Sequence, residues 1–427
     1  MNSSPQTTGR CVDQAIQSVL LNIAGSRERL IEMTQHLVRI PSETPPSDTR
    51  ATAAAVMEML ARVPDAATTP HCGEPPIDNV VSILRADRPG KRLVLNGHLD
   101  TYPAGDHAAW SDDPFSAKLS DGKIFGRGAC DMKGGIACAL LVFDLLAGHR
   151  NVWNGELVLT LAGDEERMGE LGTQYLLDTV PEARGDAMIC ADIGSPTVPR
   201  IGEKGMIWLD VSADGSPAHG AHVHRGRSAI DLLHEAMTRL ATLRDHPVEM
   251  ADQVTRTIEA AKPVSEPLGG DGEADVLQSI TVNFGRIAGG LTGNLVADRA
   301  ELNVDIRLPV GTSVAQIEAE IHRLLDPVDH IRFDITRRYE PSWTDPNDPI
   351  VSDVCAACEA VLGVEARPNG RIGGSDARLY RAVGIPTVVC GLTPYNLGGP
   401  DEYVMVDELV SVAKIQAHAA LSFLSRP

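Results

Sequence analysis

The sequence has little that would suit it to nucleic acid, a membrane or an oxidising compartment. Its 38 Lys and Arg are outnumbered by 58 Asp and Glu, a formal net charge of −20. A protein that reads phosphate backbones shows clustered Lys and Arg, and no such patch occurs here. The same deficit argues against a polybasic membrane contact. No apolar run reaches the roughly 18 residues that a membrane span needs. The polar start, Met1–Arg10, lacks the charged-then-apolar order of a secretory signal. Eight cysteines in 427 residues are too sparse for a disulfide scaffold. Cys355 and Cys358 sit in an Ala-rich helical stretch with no second pair and no His nearby, which reads as core thiols. These absences point to a cytoplasmic protein that binds neither nucleic acid nor a membrane.

What is present reads as two interleaved textures. A chain of 427 residues suggests two or three domains at roughly 150 residues each. Residues 13–39 read as one amphipathic helix ending at Pro41, and 49–62 as another. Short apolar runs at 80–84, 93–95, 157–162 and 187–191 alternate with helical segments at 134–146 and 172–177. Continuous apolar strands alternating with helices are the pattern of an α/β sheet covered on both faces. After Gly202 the strands become half-exposed. The order becomes strand, helix, strand, strand, helix, strand: 206–213, 229–243, 279–287, 300–307, 314–325, 331–337. That is a ferredoxin-like α+β unit. A long polar stretch bearing Pro and Gly, 245–275, interrupts it as an insert with no element assigned. The α/β texture returns after Pro341. The expected division is 1–203, an inserted domain 204–338, and 339–427.

Four segments carry chemistry. The strand ending Leu93–Asp100 closes in His98-Leu-Asp100, and period two places His98 and Asp100 on one side of the strand end. In α/β sheets ligands bind at the carboxyl ends of strands. A His there, with its second ring nitrogen oriented by a carboxylate, suits a metal ligand; the bland reading is a polar surface turn. In Gly126–Gly135, glycines bracket Asp131 just before a helix, where Asp131 is a ligand or a plain helix cap. Neither the Walker spacing nor GxGxxG is present. Asp164, Glu165 and Glu166 follow the strand 157–162, and Asp192 follows 187–191. Three consecutive acids repel unless water or a divalent cation neutralises them. One His with several carboxylates is a donor set for Zn²⁺, Mn²⁺ or Co²⁺.

With these motifs the chain resembles the zinc-dependent superfamily of aminoacylase, acetylornithine deacetylase, succinyl-diaminopimelate desuccinylase and glutamate carboxypeptidase. The resemblance runs from about residue 30 to 425 and is most specific at Gly97–Pro103, Trp110–Phe115, Gly126–Gly135 and Asp164–Gly172. It implies a zinc-peptidase-like catalytic domain, a mixed sheet with helices on both faces, carrying an inserted ferredoxin-like dimerisation domain. It implies that Asp131 bridges two metals, that His98 and Asp192 complete one, and that Glu166 serves the other. Glu165 is similar to the general base, and Asp100 to the residue that orients His98. His219, in Ser216–Gly220, resembles the oxyanion-stabilising His that acts across a homodimer interface. Asn294 and Arg307 match residues that contact the substrate and its carboxylate; for Arg307 a strand-edge ion pair is the bland alternative. Gly374 and Ser375, in Ile372–Arg378, match a glycine-rich turn near the substrate. The implied activity is metal-dependent hydrolysis of an amide bond in an N-acyl amino acid or small peptide with a free carboxylate.

The resemblance fails at one position. The family's last motif places a metal-binding His four residues before a Glu, and here Gly398 stands four residues before Glu402. No His occurs between His330 and His418. The second metal keeps only Asp131 and Glu166. Three readings stay open: hydrolysis on one or two ions, repurposed chemistry such as amide formation, or binding alone.

Overall fold

The computed structural model describes residues 5–426, with side chains from residue 12 onward. Of the polar start Met1–Arg10, residues 1–4 lie outside the described residues. The chain divides into two compact units. One runs up to Ile201, resumes over Thr344–Asn369 and continues from Ser375; the other comprises Gly202–Trp343 and Gly370–Gly374. No helix among the described residues is long and apolar enough to cross a membrane.

The first unit is built on a mixed sheet. Four parallel strands form its centre: Glu156–Ala162, Arg92–His98, Ala187–Cys190 and Thr387–Val389, in that spatial order. Leu93 to His98 and Leu157 to Ala162 are buried without a break, which is why these strands are apolar on both faces. Ile77–Arg85 joins antiparallel beside Glu156–Ala162. Alternate residues sort to opposite faces. Val81, Ile83, Val94, Val158, Met188 and Val389 pack with Leu176, Leu177 and Tyr380 from the helices Tyr175–Thr179 and Ala377–Ala382. Helices Gly134–Ala147 and Val406–Leu424 also pack against the strand Arg92–His98. The four parallel strands end at one edge, so His98, the Asp164–Glu166 turn and Asp192 emerge together.

Two glycines allow that edge to close. A Cβ on Gly135 would lie 2.2 Å from the Ala191 carbonyl oxygen, and one on Gly391 would lie 2.1 Å from that of Asp192. Only a residue without Cβ brings the helix after Asp131, and the segment after Val389, so close to the strand end carrying Asp192.

The second unit is a four-stranded antiparallel sheet in the order Thr281–Gly289, Arg299–Leu308, Gly205–Asp214, Ile331–Tyr339. Helices Ala229–Ala241 and Val314–Leu325 cover it, burying Leu233, Leu240, Ile317 and Ile321 on Ile207, Leu209, Val211 and Ile306. This is the ferredoxin-like arrangement.

Three elements differ from the sequence expectation. The helix read over 13–39 is two helices, Pro5–Gly25 and Arg27–Val38, because Ser26 leaves helical geometry at φ −98°, ψ 17°. The stretch 245–275, to which the sequence pattern assigns no element, holds the helix Asp252–Gly269 and the first half of Glu273–Gln278. Pro263 and Pro267 disguise the first, yet Val254, Ile258, Ala261 and Ser265 form a buried stripe at helical spacing. The strand Ala67–Glu74 has no buried residue and contains Pro70, so it lacks a strand's apolar signal; pairing with Ile77–Arg85 makes it an edge.

The close approach at Gly135 yields a prediction. Gly135→Ala forces the helix and the Asp192 strand end apart and costs about 1–3 kcal/mol, as overpacking does. Urea denaturation checks it; an unchanged midpoint contradicts the stated role.

Candidate active site

His98 is the last residue of its strand and is buried. Its Nδ1 lies 3.0 Å from the Asp100 carbonyl oxygen and 3.4 Å from Asp100 Oδ1. With Nδ1–H donated there, Nε2 faces Asp131 Oδ1 at 3.1 Å. Burial pulls the imidazole pKa down, but the bonds to Asp100 and Asp131 outweigh it and lift the pKa well above the usual histidine value. A cation between Nε2 and Asp131 does the same electrostatic work as that proton.

Asp100 is fully buried and ties two strand ends together. Besides facing His98, its Oδ1 accepts from the Glu165 backbone N–H at 3.2 Å. Its Oδ2 accepts from the Glu166 N–H and the Thr44 hydroxyl, each at 3.1 Å. It therefore orients the imidazole and the turn carrying both glutamates.

The glutamates are held in an environment that resists their charge. Burial is the main cause, and it raises both carboxyls well above the usual range. Asp376 and Asp192 push Glu165 further up, while His98 and Arg378 act against the rise. Asp131, Glu165 and Asp100 push Glu166 up. Arg378 Nη1 stands 3.8 Å from Glu165 Oε1, and the same guanidinium donates to the Ser375 and Met168 carbonyls. Glu166 Oε1 is buried without a hydrogen-bond partner.

Among the described residues, one group has metal-holding geometry: ligand atoms of His98, Asp131 and Glu166 lie within 4.8 Å of one another. A buried histidine, two carboxylates and a partnerless buried carboxylate oxygen fit a divalent cation. Asp192 is buried at its strand end, and its Oδ1 accepts from the Ile193 N–H at 2.5 Å; it lies outside that group.

Further residues of the same motifs surround the site. Glu402 is fully buried; its Oε1 accepts from the Cys130 and Asp131 N–H groups at 3.0 and 3.3 Å, and its Oε2 pairs with Arg127 Nη1. Arg127 also donates from Nη2 to the Gly398 and Gly399 carbonyls, both at 3.1 Å, and lies over the Trp110 ring. Glu402 thus fixes the backbone of Asp131. Lys133 is buried, donates to the Ile40 carbonyl at 2.5 Å, and is lowered by burial to about 7. Asp376 accepts from the Thr173 hydroxyl at 2.7 Å and is pushed by burial to about 7. The missed signal was position: Arg127 and Lys133 flank Asp131, and Asp376 and Arg378 follow Ser375.

The remaining candidates divide between the units. Ser375, in the first unit, is buried and its hydroxyl accepts from the Ala377 N–H at 3.3 Å. The others lie in the second unit. His219 and Asn294 come together there, through a bond from the Gly220 N–H to the Asn294 carbonyl at 2.7 Å. Arg307 binds the Asp305 carboxylate through Nε and Nη2, at 2.8 and 3.0 Å, and the Tyr339 hydroxyl through Nη1 at 3.1 Å. Gly374 lies under Tyr339, where a Cβ would be 2.7 Å from the hydroxyl.

Residues 94–422 match the peptidase family M20/M25/M40. The chain belongs to that family. Among its relatives is the succinyl-diaminopimelate desuccinylase of Methylorubrum extorquens, 29% identical over 395 residues that cover 89% of this chain and 94% of the relative. The Cereibacter sphaeroides desuccinylase is 29% identical over 405 residues, 92% of this chain and 96% of the relative. An M20 metallo-carboxypeptidase from Sulfolobus solfataricus superposes with a TM-score of 0.77 at 17% identity, over 93% of this chain and 99% of that one. Human carnosine dipeptidase 1 does so at 0.76 and 17%, over 96% and 99%. A Bacillus subtilis M20 peptidase described as dinuclear in metal binding superposes at 0.65 and 14%, over 94% and 99%. This M20 protein is a metal-dependent amidohydrolase.

The electrostatics predict how metal removal depends on pH. In the stripped protein Glu165 and Glu166 keep protons that the unfolded chain releases near its ordinary value of 4.5. Stability is therefore lost as pH rises from there through their raised folded values. His98, raised in the folded state, adds stability at low pH and loses it in the same direction. The gap in melting temperature between loaded and chelator-stripped protein should widen from pH 5 to pH 8. A gap that is constant or narrows contradicts this account.

Proposed function

We propose that this M20 amidohydrolase cleaves an N-acyl amino acid, or a small peptide, that bears a free carboxylate. The observation that carries the reading is the partly buried pair Glu165 and Glu166 beside the His98–Asp131 contact, at the carboxyl edge of the parallel strands. His98, Asp131 and Glu166 would hold the metal, with Asp192 at the adjoining strand end; zinc suits this donor set, and Co²⁺ or Mn²⁺ would also serve. When bound, the metal acidifies water and polarises the scissile carbonyl. Glu165 takes the proton of the attacking water and gives it to the leaving amine. A carboxyl that burial lifts well above the usual range suits a group that must do both.

The second unit supports the rest. His219 Nδ1 accepts from the Ala221 N–H at 3.1 Å, which leaves Nε2–H as the donor for a developing oxyanion. Asn294, close by, and Arg307 would bind the substrate, with Gly374 and Ser375 lining its path. Arg307, held by Asp305 and the Tyr339 hydroxyl, would meet the substrate carboxylate, as the family resemblance implies. The relatives named as desuccinylases support an acyl group of that kind.

A panel of N-succinyl and N-acetyl amino acids and dipeptides, assayed for released amine with added Zn²⁺, Mn²⁺ or Co²⁺, tests this reading. Turnover should vanish with chelator, and Glu165→Gln should cost at least about 100-fold in kcat with metal retained. No release from any member sinks the reading in favour of repurposed chemistry or binding.

We also propose a homodimer formed through the second unit, which exposes Val223, Ile230 and Leu291 at 66%, 45% and 83%. Light scattering should give twice the 45.6 kDa chain mass, and Leu291→Asp should lower it toward one chain. A wild-type monomer contradicts the proposal.

A further inference from the structure

We infer that this chain works with a single metal ion, seated on His98, Asp131 and Glu166, where its Bacillus subtilis relative is described as dinuclear. The inference rests on the reading that this centre performs the reaction. A second ion needs its own donors, and most oxygens of the neighbouring carboxylates are otherwise engaged, Asp164 Oδ1 and Asp376 Oδ1 excepted. Asp100 accepts from two backbone N–H groups and the Thr44 hydroxyl while facing His98. Glu402 is bound by Arg127 and by the Cys130 and Asp131 N–H groups. Asp376 Oδ2 accepts from Thr173 while its Oδ1 has no hydrogen-bond partner, and Glu165 stands beside Arg378. Asp192 folds back onto the Ile193 N–H and lies outside the group of three.

Gly398 is the position where the family resemblance expects a ligand His. It has no side chain, and its φ of +70° is one that an L residue adopts only with strain. Its carbonyl oxygen and that of Gly399 accept from Arg127. The loop is therefore anchored by a buried guanidinium paired with Glu402, not by a metal. A permanently charged guanidinium also opposes a second cation on that side. Glu166, with Oε1 buried and unpartnered, becomes a ligand of the same ion as His98.

The Glu166→Ala variant separates the two arrangements. If Glu166 served only a second ion, its loss would leave the first in place. If one ion sits on all three residues, its loss empties the site. Wild type and variant are loaded with excess Zn²⁺, desalted and measured by plasma mass spectrometry, with circular dichroism to verify the fold. The expected result is one zinc per chain in wild type and less than about 0.2 in the folded variant, a loss of the order that removing a ligand produces. Two zinc ions in wild type, or one retained by the variant, overturns the inference. Should the variant not fold, titration of stripped wild type against a chromogenic chelator decides, one equivalent supporting the inference and two overturning it. Amine release on the same samples keeps the readings apart. One zinc without turnover defeats the proposed function and leaves the single-ion seat standing; two with turnover does the reverse.

Discussion

Asp100 is the interaction on which the rest of the site depends. One buried carboxylate orients the His98 imidazole and, through the backbone N–H groups of Glu165 and Glu166, holds the next strand end in register with it. A hydroxyl or an amide in its place could not accept from both N–H groups and also face the imidazole as an anion. Glu402 does for Asp131 what Asp100 does for the glutamates, accepting from backbone N–H groups around the ligand. The reactive side chains are thus positioned through their backbones, which suits groups that must exchange protons or bind a cation.

That arrangement concentrates negative charge where water is scarce. Asp131, Glu165, Glu166, Asp192 and Asp376 emerge at one edge of the sheet or beside it, and burial raises the carboxyls of both glutamates and of Asp376. Protein cations answer only part of it: Arg127 pairs with Glu402, Arg378 lies 3.8 Å from Glu165, and burial lowers Lys133 toward neutrality. The balance calls for a bound cation, consistent with a family whose chemistry depends on metal.

Much of this was legible in the sequence for physical reasons. Parallel strands buried on both faces give unbroken apolar runs, so 157–162 and 187–191 could be read directly, and chemistry at the carboxyl ends of such strands follows from the topology. His98 and Asp100 were readable because two residues on one strand share a side. What escaped was tertiary in origin. The buried stripe of Asp252–Gly269 is hidden by Pro263 and Pro267, and Ala67–Glu74 buries too little to announce itself. Glu402 and Arg127 are 275 positions apart, and no local pattern signals that they meet. The resemblance assigned Glu166 and His98 to different ions bridged by Asp131, and the geometry gathers both around Asp131.

The central claim is that one cation neutralises this carboxylate cluster. Diffraction from zinc-loaded crystals, with an anomalous difference map at the zinc edge, tests it most directly. The account predicts one strong peak per chain, about 2.0–2.2 Å from His98 Nε2 and from carboxylate oxygens of Asp131 and Glu166. Two peaks bridged by Asp131, or a single peak that leaves Glu166 uncoordinated, would contradict it.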